Sequence, residues 1–309
     1  MDKANPIGIL LLTFGGPDCP NAIEPFMTSI MGGRKPPAAL LDKMVARYKL
    51  IGGGKSPLPE VTAQQATLLE QLLREQGVIC KAYVGMLHCP PFIQDALSAM
   101  LADGIEHAVA VSLSPHFAQV TTGAYAQAIE RAMHTLDAQI TVNFAPGCYD
   151  YPYFIEALAE KLLTGLEQFP PAVRSEVDII FTAHSLPVAH ITDGDPYVDQ
   201  LRTTATALVE ALGLTHWHIA FQSKGGGQGE WLGPSVEEVM DNLAAAKRCN
   251  VLVSPIGFAT DHIETLYDID VAQRQHAATL GLNFHRAAAL NTSPKFIAVL
   301  AEVVRAASK

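Results

Sequence analysis

The chain has 309 residues, 49% of them hydrophobic, enough for one large core or two of ordinary size. Charged residues make up only 17% and the formal net charge is −10, which argues against a disordered chain or a general nucleic-acid binder and favours cations over polyanions. The five cysteines, Cys19, Cys80, Cys89, Cys148 and Cys249, are scattered with no CxxC pair, so they read as reduced thiols of a cytosolic protein rather than as an iron–sulfur or structural zinc site.

The first element is an apolar run over 7–14 that stops at Gly15-Gly16-Pro17-Asp18. It lacks a small-residue cleavage site and reads as a buried strand, not a signal segment. Residues 23–58 are rich in glycine and proline and read as an insertion, a candidate lid or lip over a cleft. A helix is expected over 63–75 and strands over 80–86, 108–113 and 140–144, with a helix over 124–136 between the last two. Helices follow over 153–167, 197–212 and 235–247, interleaved with strands over 177–183, 218–222, 251–254 and 282–285. The strands are short and apolar, as parallel strands covered on both faces are. No run reaches the ~18 apolar residues of a membrane span, so a soluble cytoplasmic protein is expected, and residues 296–309 read as an amphipathic closing helix.

This βαβα rhythm predicts an α/β fold with parallel sheets. The two strand sets echo each other: Leu11-Leu12-Thr13-Phe14-Gly15-Gly16-Pro17 matches Ile180-Phe181-Thr182-Ala183-His184-Ser185-Leu186-Pro187, and Val111 to Ala118 matches Leu252 to Ala259. Two Rossmann-like doubly wound halves follow: residues 1–147 with the insertion near 23–58, and residues 148–293, with the helix over 294–309 packing back on the first half. Ligands in such folds bind beyond the carboxyl ends of the strands, so chemistry is expected in a cleft between the halves.

Several residues could carry that chemistry. His184 ends a buried strand, where an imidazole with an ordinary pKa near ~6.5 can accept a proton or bind a metal; the plain alternative is a histidine tied to a neighbouring loop. Glu264 and Asp268 are four apart and share a helical face, either as a path for a divalent cation or as solvated surface acids. His262 falls on another face of the same helix and reads as structural. His216 and His218 alternate in a strand without a third ligand in view and read as solvent-exposed. The runs Gly52-Gly53-Gly54-Lys55 and Lys224-Gly225-Gly226-Gly227-Gln228-Gly229 fit neither phosphate-loop pattern and read as flexible lips around a broad flat ligand. Ser185 has no G-x-S-x-G context, which disfavours a serine hydrolase.

Eight runs, in order and spread nearly end to end, resemble the ferrochelatases. They are Arg47-Tyr48-Lys49-Leu50-Ile51-Gly52-Gly53-Gly54 with Ser56-Pro57-Leu58, Ser114-Pro115-His116-Phe117-Ala118, Ala183-His184-Ser185-Leu186-Pro187 and Gly194-Asp195-Pro196-Tyr197, then Phe221-Gln222-Ser223, Trp231-Leu232-Gly233-Pro234, Asp261-His262-Ile263-Glu264-Thr265-Leu266-Tyr267-Asp268 and Leu290-Asn291-Thr292-Ser293-Pro294. The resemblance implies a lyase that inserts Fe²⁺ into a porphyrin, coproporphyrin III or protoporphyrin IX, in heme biosynthesis, with release of two protons. It implies His184 and Glu264 as catalytic and metal-proximal groups, with Asp268 extending the metal path. It implies porphyrin contacts from Phe14, Arg34, Tyr48, Ser56, His88, Thr121, Thr122, Tyr125, Ser223 and Trp231. No cofactor is implied, since Fe²⁺ is a substrate; the partners are porphyrin and iron, with transient contacts to neighbouring heme-pathway enzymes and none to nucleic acid. The chain departs from the family pattern where some relatives carry tyrosine at the position of Phe14, a basic residue at Leu87, a further basic residue near Arg34 and Lys35, and an acid at Ala272. Two other readings compete: a tetrapyrrole carrier without metalation, and a chelatase for another metal such as cobalt.

Overall fold

The computed structural model describes residues 5–145, 147–191, 194–225 and 229–308. The chain forms two compact units, Met1–Cys148 with Asn291–Lys309, and Tyr149–Leu290. The first unit holds strands β1 (Ile7–Thr13), β2 (Cys80–Met86), β3 (His107–Ser112) and β4 (Thr141–Ala145), all parallel, in the order β2-β1-β3-β4. Around them lie α1 (Ile23–Ile30), α2 (Ala38–Gly52), α3 (Leu58–Glu75), α4 (Ile93–Ala102) and α5 (Thr122–Thr135). The second unit repeats the pattern: β5 (Asp178–His184), β6 (Trp217–Gln222), β7 (Asn250–Ser254) and β8 (Asn283–Arg286) are parallel in the order β6-β5-β7-β8. Its helices are α6 (Pro152–Leu166), α7 (Tyr197–Leu212), α8 (Val236–Ala245) and α9 (Arg274–Thr279). The last helix, α10 (Pro294–Ala307), returns to the first unit and packs on α3, β3 and β4.

The internal echo in sequence is thus a repeat of topology: each unit places its first strand between its second and third. Central strands are mainly apolar, with polar residues chiefly at their ends, because both faces are covered. In β1, Leu10 and Leu12 enter a fully buried cluster with Leu97 and Met100 of α4 and Tyr125 of α5; each buried leucine contributes about 2 kcal/mol. In the second unit Ile180, Val251 and Val253 meet Val236, Val239 and Met240 of α8 in the equivalent cluster. That helix starts on a capping box, with the Glu238 N–H donating to Ser235 Oγ at 3.2 Å and the Ser235 N–H to Glu238 Oε2 at 2.7 Å.

All eight expected strands are present, with ends shifted by a residue or so. The insertion over 23–58 is mainly helical, comprising α1 and α2. The glycine run at 52–54, expected as a flexible lip, instead closes α2: Gly53 takes φ 76° and donates its N–H to Tyr48 O, the left-handed cap that glycine makes without strain. The other glycine run has its centre, residues 226–228, outside the described residues. Among the described residues no helix is long and apolar enough to cross a membrane.

Candidate functional site

The chemistry-bearing groups of the second unit gather at the carboxyl ends of its strands. His184 is the last residue of β5 and pairs in register with Gln222, the last of β6. The Ser185 N–H donates to Gln222 O at 2.7 Å, so the two strand ends leave the sheet together. The Tyr197 hydroxyl donates to His184 O at 2.9 Å and fixes the peptide. The Nδ1–H of His184 is turned onto Ser185 O, which leaves Nε2 facing forward, 3.3 Å from Glu264 Oε1. The other Glu264 oxygen lies 3.4 Å from His262 Nε2, and the Nδ1–H of His262 in turn donates to Thr260 O at 2.9 Å. One carboxylate is therefore held between two imidazoles, each oriented by a backbone carbonyl, the arrangement that fixes a tautomer and aims the far nitrogen.

Glu264 begins a π-helix, Glu264–Gln273, rather than the expected α-helix. Such turns are rare and need outside support. On one side Gln222 Nε2 donates to Glu264 O at 2.7 Å, and Ser223 Oγ donates to Asp268 Oδ2 at 2.6 Å. Ser223 reaches this position with φ 61°, a left-handed backbone that a serine adopts only under constraint. Asp268, four residues on, is turned to the Ser223 hydroxyl.

Burial alone lowers the pKa of the His184 ring, but the Glu264 carboxylate outweighs it, with help from Ser185 O and Asp268, and raises it to about 9. Burial likewise pushes the Glu264 carboxyl up, and His184 and His262 together overcome that and hold it well below the usual carboxylate range. At neutral pH the pair stands as imidazolium and carboxylate. Burial lifts the Tyr197 phenol far above its ordinary value, so it remains a neutral donor.

The placement of His262 corrects the sequence reading. It precedes the π-helix and lies in the turn that enters it, so a helical-wheel argument does not apply, and its ring comes back to Glu264. The only sequence hint is the run Asp261-His262-Ile263-Glu264 itself. His218 sits at the other end of its sheet, 3.7 Å from Asp178 Oδ1. Among the described residues no group of three or more histidine, cysteine, aspartate or glutamate side chains is arranged to hold a resident metal ion. The expected His184, Glu264 and Asp268 therefore form a pair and a neighbour, not a closed coordination shell.

Of the expected porphyrin contacts, Ser223 and Trp231 lie in this unit. The antiparallel bridge from Pro187 to Trp231, with Ser185 Oγ donating to Leu232 O at 2.8 Å, sets the Trp231–Pro234 run beside the His184–Pro187 run. Trp231 Nε1 is buried and lacks a hydrogen-bond partner among the described residues. In the first unit Phe14 follows β1 and is 38% exposed; its ring lies 4.5 Å from that of His88, whose Nδ1 is 3.0 Å from Ser29 Oγ. Burial keeps His88 below the ordinary histidine pKa and therefore neutral at pH 7. Arg34 is exposed, with Nε donating to Met31 O at 3.3 Å, and Thr121 is half-buried before α5. Tyr48, Ser56, Thr122 and Tyr125 are buried, Tyr48 and Tyr125 at 1% exposure.

The ferrochelatase family model matches residues 6–308. Among curated proteins, the ferrochelatase of Deinococcus radiodurans is 39% identical over 306 residues, covering 98% of this chain and 96% of that protein. The coproporphyrin III ferrochelatase of Geobacillus thermodenitrificans is 36% identical, covering 96% and 95%. Among solved structures, SirB from Bacillus subtilis with Fe³⁺ overlays with a TM-score of 0.61 at 14% identity, covering 97% of this chain and 94% of that one; this likeness concerns the fold alone. With a family match over nearly its whole length and relatives near 40% identity, the chain belongs to the ferrochelatase family.

Proposed function

We propose that this chain inserts Fe²⁺ into a porphyrin, with coproporphyrin III as the first candidate and protoporphyrin IX as the second, in heme biosynthesis. The observation that carries the reading is the 3.3 Å contact between His184 Nε2 and Glu264 Oε1 at the carboxyl end of β5. The relative named a coproporphyrin III ferrochelatase supports the order of substrates. Fe²⁺ enters as substrate, no cofactor takes part, and the reaction belongs in the cytoplasm.

Metalation must remove two pyrrole protons and strip water from the ion. A flat macrocycle hides its nitrogen lone pairs in its plane, so distortion supplied by binding elsewhere exposes them. The sequence leaves open which of His184 and Glu264 accepts the protons, and a ring with a pKa of about 9 is already protonated at neutral pH. Glu264 is the ionised member and has free lone pairs, so it takes the first proton while His184 balances its charge. An arriving dication disfavours the imidazolium, so His184 passes its Nε2 proton to solvent and the freed nitrogen takes the second pyrrole proton as the ion enters the ring. Asp268, four residues on, offers the next carboxylate for protons or iron. Trp231, in the same unit as the pair, supplies ring surface for the macrocycle.

The test is an anaerobic assay of the purified chain with Fe²⁺ and each porphyrin, read by loss of porphyrin fluorescence and the shift of the Soret band. Turnover with at least one porphyrin is expected. Tight porphyrin binding without metalation would replace this reading with that of a carrier.

A further inference from the structure

We infer that Arg286 is a positioning residue for the Glu264 carboxylate, tying the two ends of the π-helical segment through Asp261 and Asp270. The inference rests on the metalation reading above and adds to it the group that holds the site's geometry. Arg286 ends β8, and its side chain is largely buried. Its guanidinium meets Asp270 through two parallel bonds, Nε to Oδ1 at 2.9 Å and Nη2 to Oδ2 at 2.9 Å. A third N–H, on Nη1, donates to Asp261 Oδ1 at 3.0 Å. Asp261 precedes the π-helix and Asp270 lies in its second half, so one planar cation spans the segment that carries Glu264.

From Asp261 the contacts run directly to the site. The Thr265 hydroxyl lies 3.0 Å from the same Asp261 oxygen and accepts the His262 N–H at 3.0 Å. Thr265 is the neighbour of Glu264 and is fully buried, so a shift of Asp261 is passed to the Glu264 backbone and to His262. Arg274 also touches Asp270, at 3.7 Å, and its Nη1 donates to Phe284 O of β8 at 3.4 Å, a tie at the far end of the segment only. A lysine cannot replace Arg286, because one ammonium does not reproduce a three-point planar fork. Without the guanidinium, Asp261 and Asp270 lose the group that joins them, and the segment must relax.

The experiment uses the full chain with Arg286→Met, Arg286→Lys, Asp270→Asn and Arg286→Met combined with Glu264→Gln. Circular dichroism checks the fold, and Asp270→Asn, which keeps the bond to Asp261, serves if Arg286→Met does not fold. Misplacement of a reacting group by about 1 Å costs up to ~100-fold in rate, so both Arg286 variants are expected to lower kcat by about tenfold or more, with the porphyrin KM within about twofold. In the Glu264→Gln background Arg286→Met should cost less than about twofold further, since its effect passes through a carboxylate already removed. The ring ¹⁵N shifts of His184, recorded without porphyrin, should move in Arg286→Met toward those of Glu264→Gln. Unmoved shifts, or full additivity in the double variant, would overturn the inference. A wild-type chain that metalates nothing would sink the metalation reading instead, while the shifts still decide the role of Arg286.

Discussion

Replacing Glu264 by glutamine keeps the shape of the side chain and removes its charge. In the wild type, burial opposes protonation of His184 and the carboxylate at 3.3 Å overcomes it, so the ring titrates at about 9 instead of its ordinary 6.5. At ~1.4 kcal/mol per pKa unit that separation corresponds to about 3 kcal/mol. The His184 side chain is 33% exposed, and solvent screening cuts the value to roughly half. The His184 pKa should therefore fall by about one unit or more in the variant, because burial is then opposed only by Ser185 O and Asp268. A ¹³C–¹⁵N NMR titration of the ring measures it. The sign carries over to stability: a raised histidine pKa stabilises the folded state fully below the ordinary 6.5 and loses that effect as pH rises through about 9, whereas the depressed Glu264 stabilises above its ordinary 4.5 and loses its effect as pH falls. The stability advantage of wild type over variant should thus be greatest between those two ordinary values and shrink toward pH 9. A His184 pKa still near 9 in the variant would refute the reasoning.

Two further substitutions probe how the pair is held. A Cβ at Gly257 would lie 2.5 Å from Ala183 Cβ and 2.8 Å from its Cα, immediately before His184; Gly257→Ala should cost about 1–3 kcal/mol in urea unfolding and lower turnover with it, and an unchanged midpoint would show that the end of β5 yields freely. Ser223→Ala removes the 2.6 Å donor to Asp268 and should slow metalation about fivefold, the rate equivalent of ~1 kcal/mol for one hydrogen bond. Ser223→Gly makes the same deletion but relieves the left-handed backbone, so it should be more stable than the alanine variant by about 1 kcal/mol; equal thermal midpoints would contradict the strain.

The doubled βαβα pattern was legible because both faces of each sheet are covered, which leaves short apolar runs with sharp ends. His184 was legible for the same reason: a polar residue closing such a run stands where ligands of α/β folds bind. The helices of the 23–58 insertion were less legible, since Pro36, Pro37 and three successive glycines mark its breaks more strongly than Leu40, Leu41 and Val45 mark α2. His262 was hidden by the assumption that it shares one regular helix with Glu264; the chain instead turns before Ile263 and then winds as a π-helix, held by Gln222, Ser223 and Arg286 from distant stretches of the chain. Such contacts leave no local period to read. The burial of Tyr48 and Tyr125 was also out of reach, because a tyrosine reads equally as ligand surface or as core with a bonded hydroxyl.

The central claim, that the His184–Glu264 pair performs the metalation and does not merely build the binding surface, is tested most directly by measuring porphyrin affinity and iron insertion side by side in His184→Ala. Fluorescence titration should show coproporphyrin III bound within a few-fold of wild type, while anaerobic Fe²⁺ insertion falls by at least about a hundredfold. Iron insertion at the wild-type rate in that variant would contradict the account.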